Sequence, residues 1–223
     1  MAKRMPSSSR TAEFGFELRS TSDGSTGTGR RLEGIAAVFN TDTHIRSYEG
    51  DFLERITRGA FAKSIRDNPH PLMQWDHGRD SRVGTTPIGA YDTLREDPEG
   101  LFVSGELFDN PVVEPVRQAI EAGAVRGMSI SMQVIRDEWR DAKGRPVGSN
   151  ELRRLLWADP DDPAYRGLLP LRRTIKELRL GEAGPVGRPA YTTTSVGVRS
   201  TEPRTLTINA AKRQLALINT RRT

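Results

Sequence analysis

The alternation of side chains in GMSISMQVIRDEW, residues 127–139, narrows the choice of fold more than any other stretch of this chain. Successive side chains of a β-strand point to opposite faces, so Met128 and Ile130 would take one face, and Ser129 and Ser131 the other. Comparable extended runs occupy residues 31–40, 85–97, 100–108 and 172–182. The chain is therefore predicted to be rich in β-strands.

Two short helices are predicted between these strands. In RGAFAKSIRDN, residues 58–68, Phe61 and Ile65 recur at helical spacing. A second helix is predicted after Asn110, a residue type that caps helix N-termini, and Gly123 is placed to end it. The predicted fold class is therefore α+β, with helices inserted between the strands of a β-rich core.

The two ends of the chain differ from its middle in composition. Residues 1–30 are rich in Gly, Ser and Thr, so we predict a mostly flexible arm with one strand in AEFGFELRS, residues 12–20. Residues 31–198 are predicted to form a single domain. Residues 199–223 are predicted to form a basic tail.

The net charge of +5 comes from these ends. Residues 1–30 hold five basic and three acidic groups, residues 199–223 hold six and one, and the middle holds 23 and 25. The middle shows no basic stripe interleaved with aromatic residues, so we expect no specific recognition of nucleic acid. Its apolar runs fall short of the roughly 18 residues of a membrane span, so we expect no membrane insertion.

The chain contains no cysteine, which excludes disulfides, thiolate catalysis and thiolate metal sites. Its three histidines, His44, His70 and His77, are widely spaced and form no HExxH pair. Neither a metal nor another cofactor is therefore expected. Hydrolytic chemistry would need an oxygen nucleophile.

A serine nucleophile needs a histidine to take its proton and an acid to orient that histidine. Alternation leaves both Ser129 and Ser131 open as the nucleophile, because they share one face. His77 ends the run LMQWDH, residues 72–77, and is predicted to lie on the apolar face of an extended segment. The preceding aspartate then points away from it, so the acid should come from elsewhere.

The acid candidates lie in the strand predicted at residues 172–182. On a regular strand Glu182 shares the inward face of Leu180, whereas Glu177 shares the face of Arg179. Burying a carboxylate is costly unless something pairs with it, and an imidazole that becomes imidazolium is such a partner. Glu182 is therefore the first candidate, and Glu177 is its rival.

Six motifs follow one another in a recognisable order. They are GIAAVF (34–39), RGAFAKSI (58–65), LMQWDH (72–77) with TPIG (86–89), DPEGL (97–101), AGAVRGMSISM (122–132) and LGEAGPVGRPA (180–190). In this order they resemble the prohead (procapsid) maturation proteases of tailed bacteriophages, over residues 32–198. These are serine peptidases with a fold similar to the herpesvirus capsid assemblins, so the resemblance implies an assemblin-like, barrel-like core.

The resemblance also implies roles for single residues. Ser129 occupies the serine of the GMS turn and would be the nucleophile, with His77 as general base and Glu182 as orienting acid. Two features depart from the family pattern. Family members usually have a serine at the position of Gly184, and the insert at residues 141–171 is longer than the resemblance predicts.

The function implied by the resemblance is that of a serine endopeptidase inside the immature procapsid, in the host cytoplasm. It would cleave the scaffolding part of the major capsid protein and finally itself, and the basic ends would guide packaging or serve as self-cleavage sites. Whether the active form is a homodimer stays open. The alternatives are a non-enzymatic scaffold or shell-binding module of the same fold, and a nucleic-acid-binding protein, which rests only on the basic ends.

Overall fold

The computed structural model describes residues 8–12, 16–19, 29–47 and 49–187. The basic tail predicted at residues 199–223 lies outside them, as does the C-terminal limit of the predicted domain. Among the described residues, no helix is long and apolar enough to cross a membrane.

Strands are the most abundant element of the described structure and three helices lie between them, which confirms the α+β class. The strands are β1 Ser8–Ala12, β2 Phe16–Arg19, β3 Arg31–Val38, β4 Thr43–Ser47, β5 Gly50–Ile56, β6 Leu72–Met73, β7 Gly89–Glu96, β8 Gly100–Leu107, β9 Gly127–Arg140 and β10 Leu171–Val186. The helices are α1 Ala62–Asp67, α2 Glu114–Glu121 and α3 Ser149–Leu155, with short 3₁₀ turns at Asp76–Gly78 and Pro163–Tyr165.

The strands join into one mixed sheet built around β10. Eight of them follow the order β1-β9-β10-β6-β7-β8-β3-β2, while β5 pairs with β10 and carries β4. One edge of β10 pairs antiparallel with β9. Its other edge pairs in parallel with β5 and, further along, with β6. β10 therefore pairs with three strands, with β9 along one edge and with β5 and β6 along the other.

The sheet is not closed into a barrel, so the predicted barrel-like core is wrong for the described residues. Closure would need hydrogen bonds between the two ends of the strand order, but β1 pairs with β9 and β2 pairs with β3. Only residues 13–15 separate β1 from β2, so the ends lie within about 15 Å of each other at this connection. β1 and β2 therefore approach each other at this connection without pairing in the described residues.

Several predicted elements are confirmed. β7, β8 and β9 are the strands expected from alternation, and α1 and α2 are the two expected helices. The side chain of Asn110 accepts hydrogen bonds from the backbone N–H groups of Val112 and Val113, each at 3.0 Å. Gly123 follows α2 with a φ of +67°. Asn110 therefore caps the turn that leads into α2, and Gly123 ends the helix in the left-handed conformation.

Two strands lie in the N-terminal segment predicted to be a mostly flexible arm. β2 falls within the strand predicted at residues 12–20. β1 was not predicted, because SSRTA lacks the alternation of apolar and polar residues that signals a strand. β1 nevertheless pairs with β9 along its whole length, Ser8–Ala12.

The main core lies against the apolar face of β9. Met128, Ile130 and Met132 are each at most 1% exposed. Leu180 and Ala183 of β10 belong to the same cluster. The serines of β9 therefore lie on the face of the sheet that turns away from this core.

Residues 141–171, predicted as a long polar insert, contribute to a second and smaller core. α3 buries Leu155 against Ile45, Phe52 and Leu171. The leucines of α3 recur at helical spacing, a signal that the charged residues around them obscure. The insert is therefore an integral part of the fold.

Leu155→Ala is expected to lower the free energy of unfolding by about 2–5 kcal/mol, because it leaves a cavity in this second core. Urea denaturation measures the change. The control is Trp157→Ala, since Trp157 is 67% exposed, and we expect it to change stability by no more than about 0.5 kcal/mol. Equal, small effects of both substitutions would contradict a packed second core.

Candidate active site

The candidate site lies where β9, β10 and β6 run side by side. Glu182 of β10 lies opposite Ser131 of β9 on one side and opposite Leu72 of β6 on the other. Gly184 lies opposite Ser129. Residues directly opposite each other in paired strands share a face, so these five positions line the face away from the main core.

A bulge in β10 puts Glu182 on this face. Leu180 lies opposite Met132 on the core side, but the register shifts before Glu182, which lies opposite Ser131. The extra residue, Gly181, reverses the alternation of side chains. Glu182 is buried as predicted, at 6% exposure, but the prediction that it shares the face of Leu180 is wrong because of this bulge.

His77 reaches Glu182 from a turn. β6 ends at Met73 and Trp75 still has extended backbone angles, so the predicted extended run is wrong only from Asp76 onward. Asp76 and His77 have φ angles of 45° and 58°, in the left-handed region that costs most non-glycine residues roughly 1–2 kcal/mol each. Gly78 continues the turn with a φ of 73°. This turn, and not alternation along a strand, sets the direction of the imidazole.

His77 and Glu182 form a buried pair. His77 Nδ1 lies 3.0 Å from Glu182 Oε2, and each side chain is 8% exposed. When Nδ1–H donates to the carboxylate, the lone pair of Nε2 is left to accept a proton. Within the described part of the chain, His77 Nε2 and Glu182 Oε1 are buried without a hydrogen-bond partner. Buried polar atoms of this kind are rare, which marks the pair as a candidate site for chemistry.

Tyr91 supports the backbone beside Glu182. Its hydroxyl donates a hydrogen bond to the backbone oxygen of Ala183 at 3.0 Å. Burial, and then the negative charge of Glu182, raise the pKa of Tyr91 well above its usual value. Tyr91 therefore stays neutral, and its hydroxyl stays a donor, at any pH at which the protein would work.

β6 can approach β10 closely because residue 184 is a glycine. A Cβ on Gly184 would lie 1.8 Å from the backbone oxygen of Gln74. The backbone N–H of Gln74 donates to Ala183 O at 3.3 Å, and its side-chain amide donates to Thr85 O at 2.7 Å. Gly184 thus lets the segment that leads into His77 pack directly on β10, which gives a physical reason for this departure from the family pattern.

Both candidate serines lie on the face of the His77–Glu182 pair, at different distances from the carboxylate. Ser131 lies directly opposite Glu182, a position with a typical Cβ separation of about 4.5–5.5 Å. Ser129 lies two residues further along β9, opposite Gly184, at a typical diagonal separation of about 7–8 Å. Ser129 is fully buried, and Ser131 is half-buried.

Glu177, the rival acid, lies elsewhere. Its Oε1 is 3.3 Å from Lys63 Nζ, and its Oε2 is 4.0 Å from Arg136 Nε. Its side chain is 24% exposed. The ion pairs account for Glu177 without any contact to His77.

Ser64 contributes to the site and was missed in the sequence. Between β5 and β6 the edge of β10 is covered by α1 and the turn before it. Leu178 N–H donates to Ala60 O at 3.1 Å, and Leu180 N–H donates to Ser64 Oγ at 2.8 Å. Ser64 therefore holds β10 just before the bulge that orients Glu182. The available signal was a serine at a buried position of the predicted helix.

Ser64→Ala is expected to lower the free energy of unfolding by about 1–3 kcal/mol, since it leaves the Leu180 N–H buried and unsatisfied. Urea denaturation measures this loss. Ser81 is an exposed serine, and Ser81→Ala should change stability by about 0.5 kcal/mol or less. Indistinguishable midpoints for the two variants would show that the Ser64 hydroxyl does not hold β10.

Comparison with known proteins adds independent findings. A family model described as Caudovirus prohead serine protease matches residues 16–207. The prohead protease of Enterobacteria phage HK97 is 32% identical over 139 residues, which cover 60% of this chain and 55% of that relative. The aligned part thus spans about half the length of this relative, and no solved structure matches the chain. The family match confirms the resemblance seen in the motifs, and the chain belongs to the Caudovirus prohead serine protease family.

Proposed function

We propose that this protein is a serine endopeptidase of phage capsid maturation, with Ser129 as nucleophile, His77 as general base and Glu182 as the acid that orients His77. The observation that carries the proposal is the buried His77–Glu182 pair on the serine-bearing face of the sheet. Together the three residues supply the groups that acyl transfer needs. Family membership supports the same chemistry.

The reaction would proceed in two halves. Ser129 Oγ attacks the carbonyl carbon of the scissile peptide bond, and its proton passes to His77 Nε2. The imidazolium is stabilised by Glu182 and gives the proton to the departing amine, which leaves an ester on Ser129. A water then attacks the ester, transferring a proton to His77. That proton returns to Ser129 Oγ as the carboxylic acid product leaves.

The geometry of a triad favours Ser129 over Ser131 as the nucleophile. In a triad the imidazole lies between the acid and the nucleophile, so these two do not contact each other directly. The diagonal position of Ser129 relative to Glu182, at a typical residue separation of about 7–8 Å, leaves room for the imidazole ring. Ser131 lies directly opposite Glu182 and leaves less room for the imidazole ring between them. The motif resemblance independently favours Ser129.

The proposed substrates follow from the family. Prohead proteases act on procapsid proteins, so we propose the scaffolding part of the major capsid protein as the substrate, followed by the protease itself. The proposed place of action is the immature procapsid in the host cytoplasm. All three residues come from one chain, so a homodimer would contribute no residue to the proposed triad.

The test is the intact mass of the purified chain over time, alone and with the capsid protein precursor. We expect defined fragments of the precursor, of the protease itself, or of both. An unchanged mass of both proteins, with the precursor supplied at the density at which it is packed in a procapsid, would count against the proposal. It would favour the alternative of a non-enzymatic scaffold or shell-binding module of the same fold.

A further inference from the structure

β1 lies along the outer edge of β9, beside the candidate nucleophile. The pairing is antiparallel, with Thr11 opposite Ser129 and Ser9 opposite Ser131. On the inner edge, the same positions of β9 pair with β10. Both edges of β9 are therefore occupied at the point where the reaction would take place.

In this arrangement the nucleophile is closed to substrate. Ser129 is 0% exposed, and the His77 side chain is 8% exposed. A peptide carbonyl must come within about 3–3.5 Å of the attacking oxygen. Some part of the chain must therefore move before substrate can react.

β1 is the element best suited to move. It has five residues, it lies at the end of the strand order, and β9 is the strand with which it pairs. β10, on the other side of β9, is sixteen residues long and lies inside the sheet. β9 keeps its pairing with β10 when β1 leaves, whereas losing β10 would remove the strand that joins β9 to β5 and β6.

We propose that the outer edge of β9 at Ser129 is a binding surface for an extended peptide, and that β1 is an internal occupant which the substrate must replace. The inference rests on the proposed function. Extended peptides commonly bind by adding a strand to a sheet edge, with backbone hydrogen bonds giving affinity. β1 already forms such a ladder across Ser129. Because one edge cannot pair with two strands, β1 keeps the protein latent.

The competition between β1 and substrate depends on concentration. A segment of the same chain acts at an effective concentration of roughly the millimolar range. Free peptide at micromolar concentration is therefore excluded from the edge of β9. A substrate packed at a concentration comparable to the effective concentration of β1 displaces it. This behaviour suits an enzyme whose proposed substrate is packaged with it.

The test weakens the β1 ladder in the full chain. Arg10→Pro and Thr11→Pro are made separately, because alternate residues of an antiparallel strand donate to the partner and proline has no N–H to donate. The probe is diisopropyl fluorophosphate, which bonds the serine oxygen to phosphorus with loss of fluoride. Intact mass follows the labelling of Ser129 over time. Labelling should be about tenfold faster than in the wild type for at least one variant, because β1 is detached from β9 in a larger fraction of the molecules.

Arg46→Pro is the matched control. Arg46 lies in β4, another peripheral strand, which pairs with β5, so this proline weakens a ladder but leaves β1 in place. We expect wild-type labelling of this variant. Labelling of Ser129 at one common rate in the wild type and both β1 variants would overturn the inference but leave the serine protease intact. No labelling of any variant would count against the proposed function itself.

A disulfide lock tests the same inference in the opposite direction. Ser9 and Ser131 lie opposite each other, and opposed residues of antiparallel strands have Cα separations of about 4.5 or 5.5 Å, which a disulfide can bridge. The chain has no other cysteine, so the variant Ser9→Cys/Ser131→Cys forms one defined bond. The oxidised form should be labelled at Ser129 at about one tenth of the rate of the reduced form or less. Equal rates would overturn the inference.

Discussion

Ser129→Ala is expected to abolish cleavage of the capsid precursor and of the protease itself, with a loss of about 10⁴-fold or more in kcat/KM. The substitution removes the oxygen that would form the acyl-enzyme, and the remaining groups provide only binding and polarisation. Alanine is smaller than serine and displaces no neighbouring side chain. Ser129 also lies opposite Gly184, so the fold should persist. Intact mass over time measures cleavage, and circular dichroism measures the fold.

The matched control for this experiment is Ser131→Ala. Ser131 lies two residues away on the same strand face and is directly opposite Glu182, so the control alters the same surface. It should retain at least about a tenth of the wild-type activity, as expected for a neighbouring hydroxyl that forms no covalent bond. If Ser131→Ala lost cleavage and Ser129→Ala kept it, the nucleophile would be Ser131.

Much of the strand and helix content could be predicted from periodicity. β9 illustrates this, because three apolar residues at alternate positions are buried in the main core and the pattern needs no tertiary information. β1 shows the limit of the method. Its residues carry no such pattern, and it forms only because β9 offers an unpaired edge. Strands that depend on a partner leave little trace in their own sequence.

The site was harder to predict than the strands, because it depends on two local irregularities. The Gly181 bulge moves Glu182 to the opposite face from the one that alternation gives. The left-handed φ angles of Asp76 and His77 turn the imidazole out of the line of β6. Neither bulges nor left-handed non-glycine residues follow from a regular pattern. The motif resemblance nevertheless predicted both residues as members of the candidate site, since it does not depend on regular geometry.

Gly184 shows how a departure from a family pattern can have a structural cause. The resemblance to the family marked this position as a missing serine. The structure adds the reason that residue 184 faces the backbone oxygen of Gln74 with no room for a Cβ. The close approach joins two segments about 110 residues apart along the chain, and such contacts become visible only when the sheet order is known.

Glu182→Gln is expected to lower kcat by about 10³–10⁴-fold with little change in KM. Glutamine has nearly the same shape as glutamate, so packing around His77 should be preserved. Its amide can donate to His77 Nδ1, which favours the tautomer with the proton on Nε2, and that tautomer cannot accept the proton of Ser129. The neutral amide also stabilises the imidazolium less. Steady-state kinetics on a peptide from the capsid precursor, at millimolar concentrations that compete with β1, measures both parameters.

Glu177→Gln is the matched control for the role of Glu182. The two carboxylates lie on the same strand five positions apart, but Glu177 pairs with Lys63 and Arg136. Its loss should change stability by about 1 kcal/mol or less, as is typical of partly exposed ion pairs, and leave kcat near the wild-type value. Glu182→Asp adds a second check, because it keeps the charge while shortening the side chain and should retain more activity than Glu182→Gln. If Glu177→Gln were inactive and Glu182→Gln active, Glu177 would be the residue that orients His77. The turn that carries His77 would then have to lie further along β10 than it does in this structure.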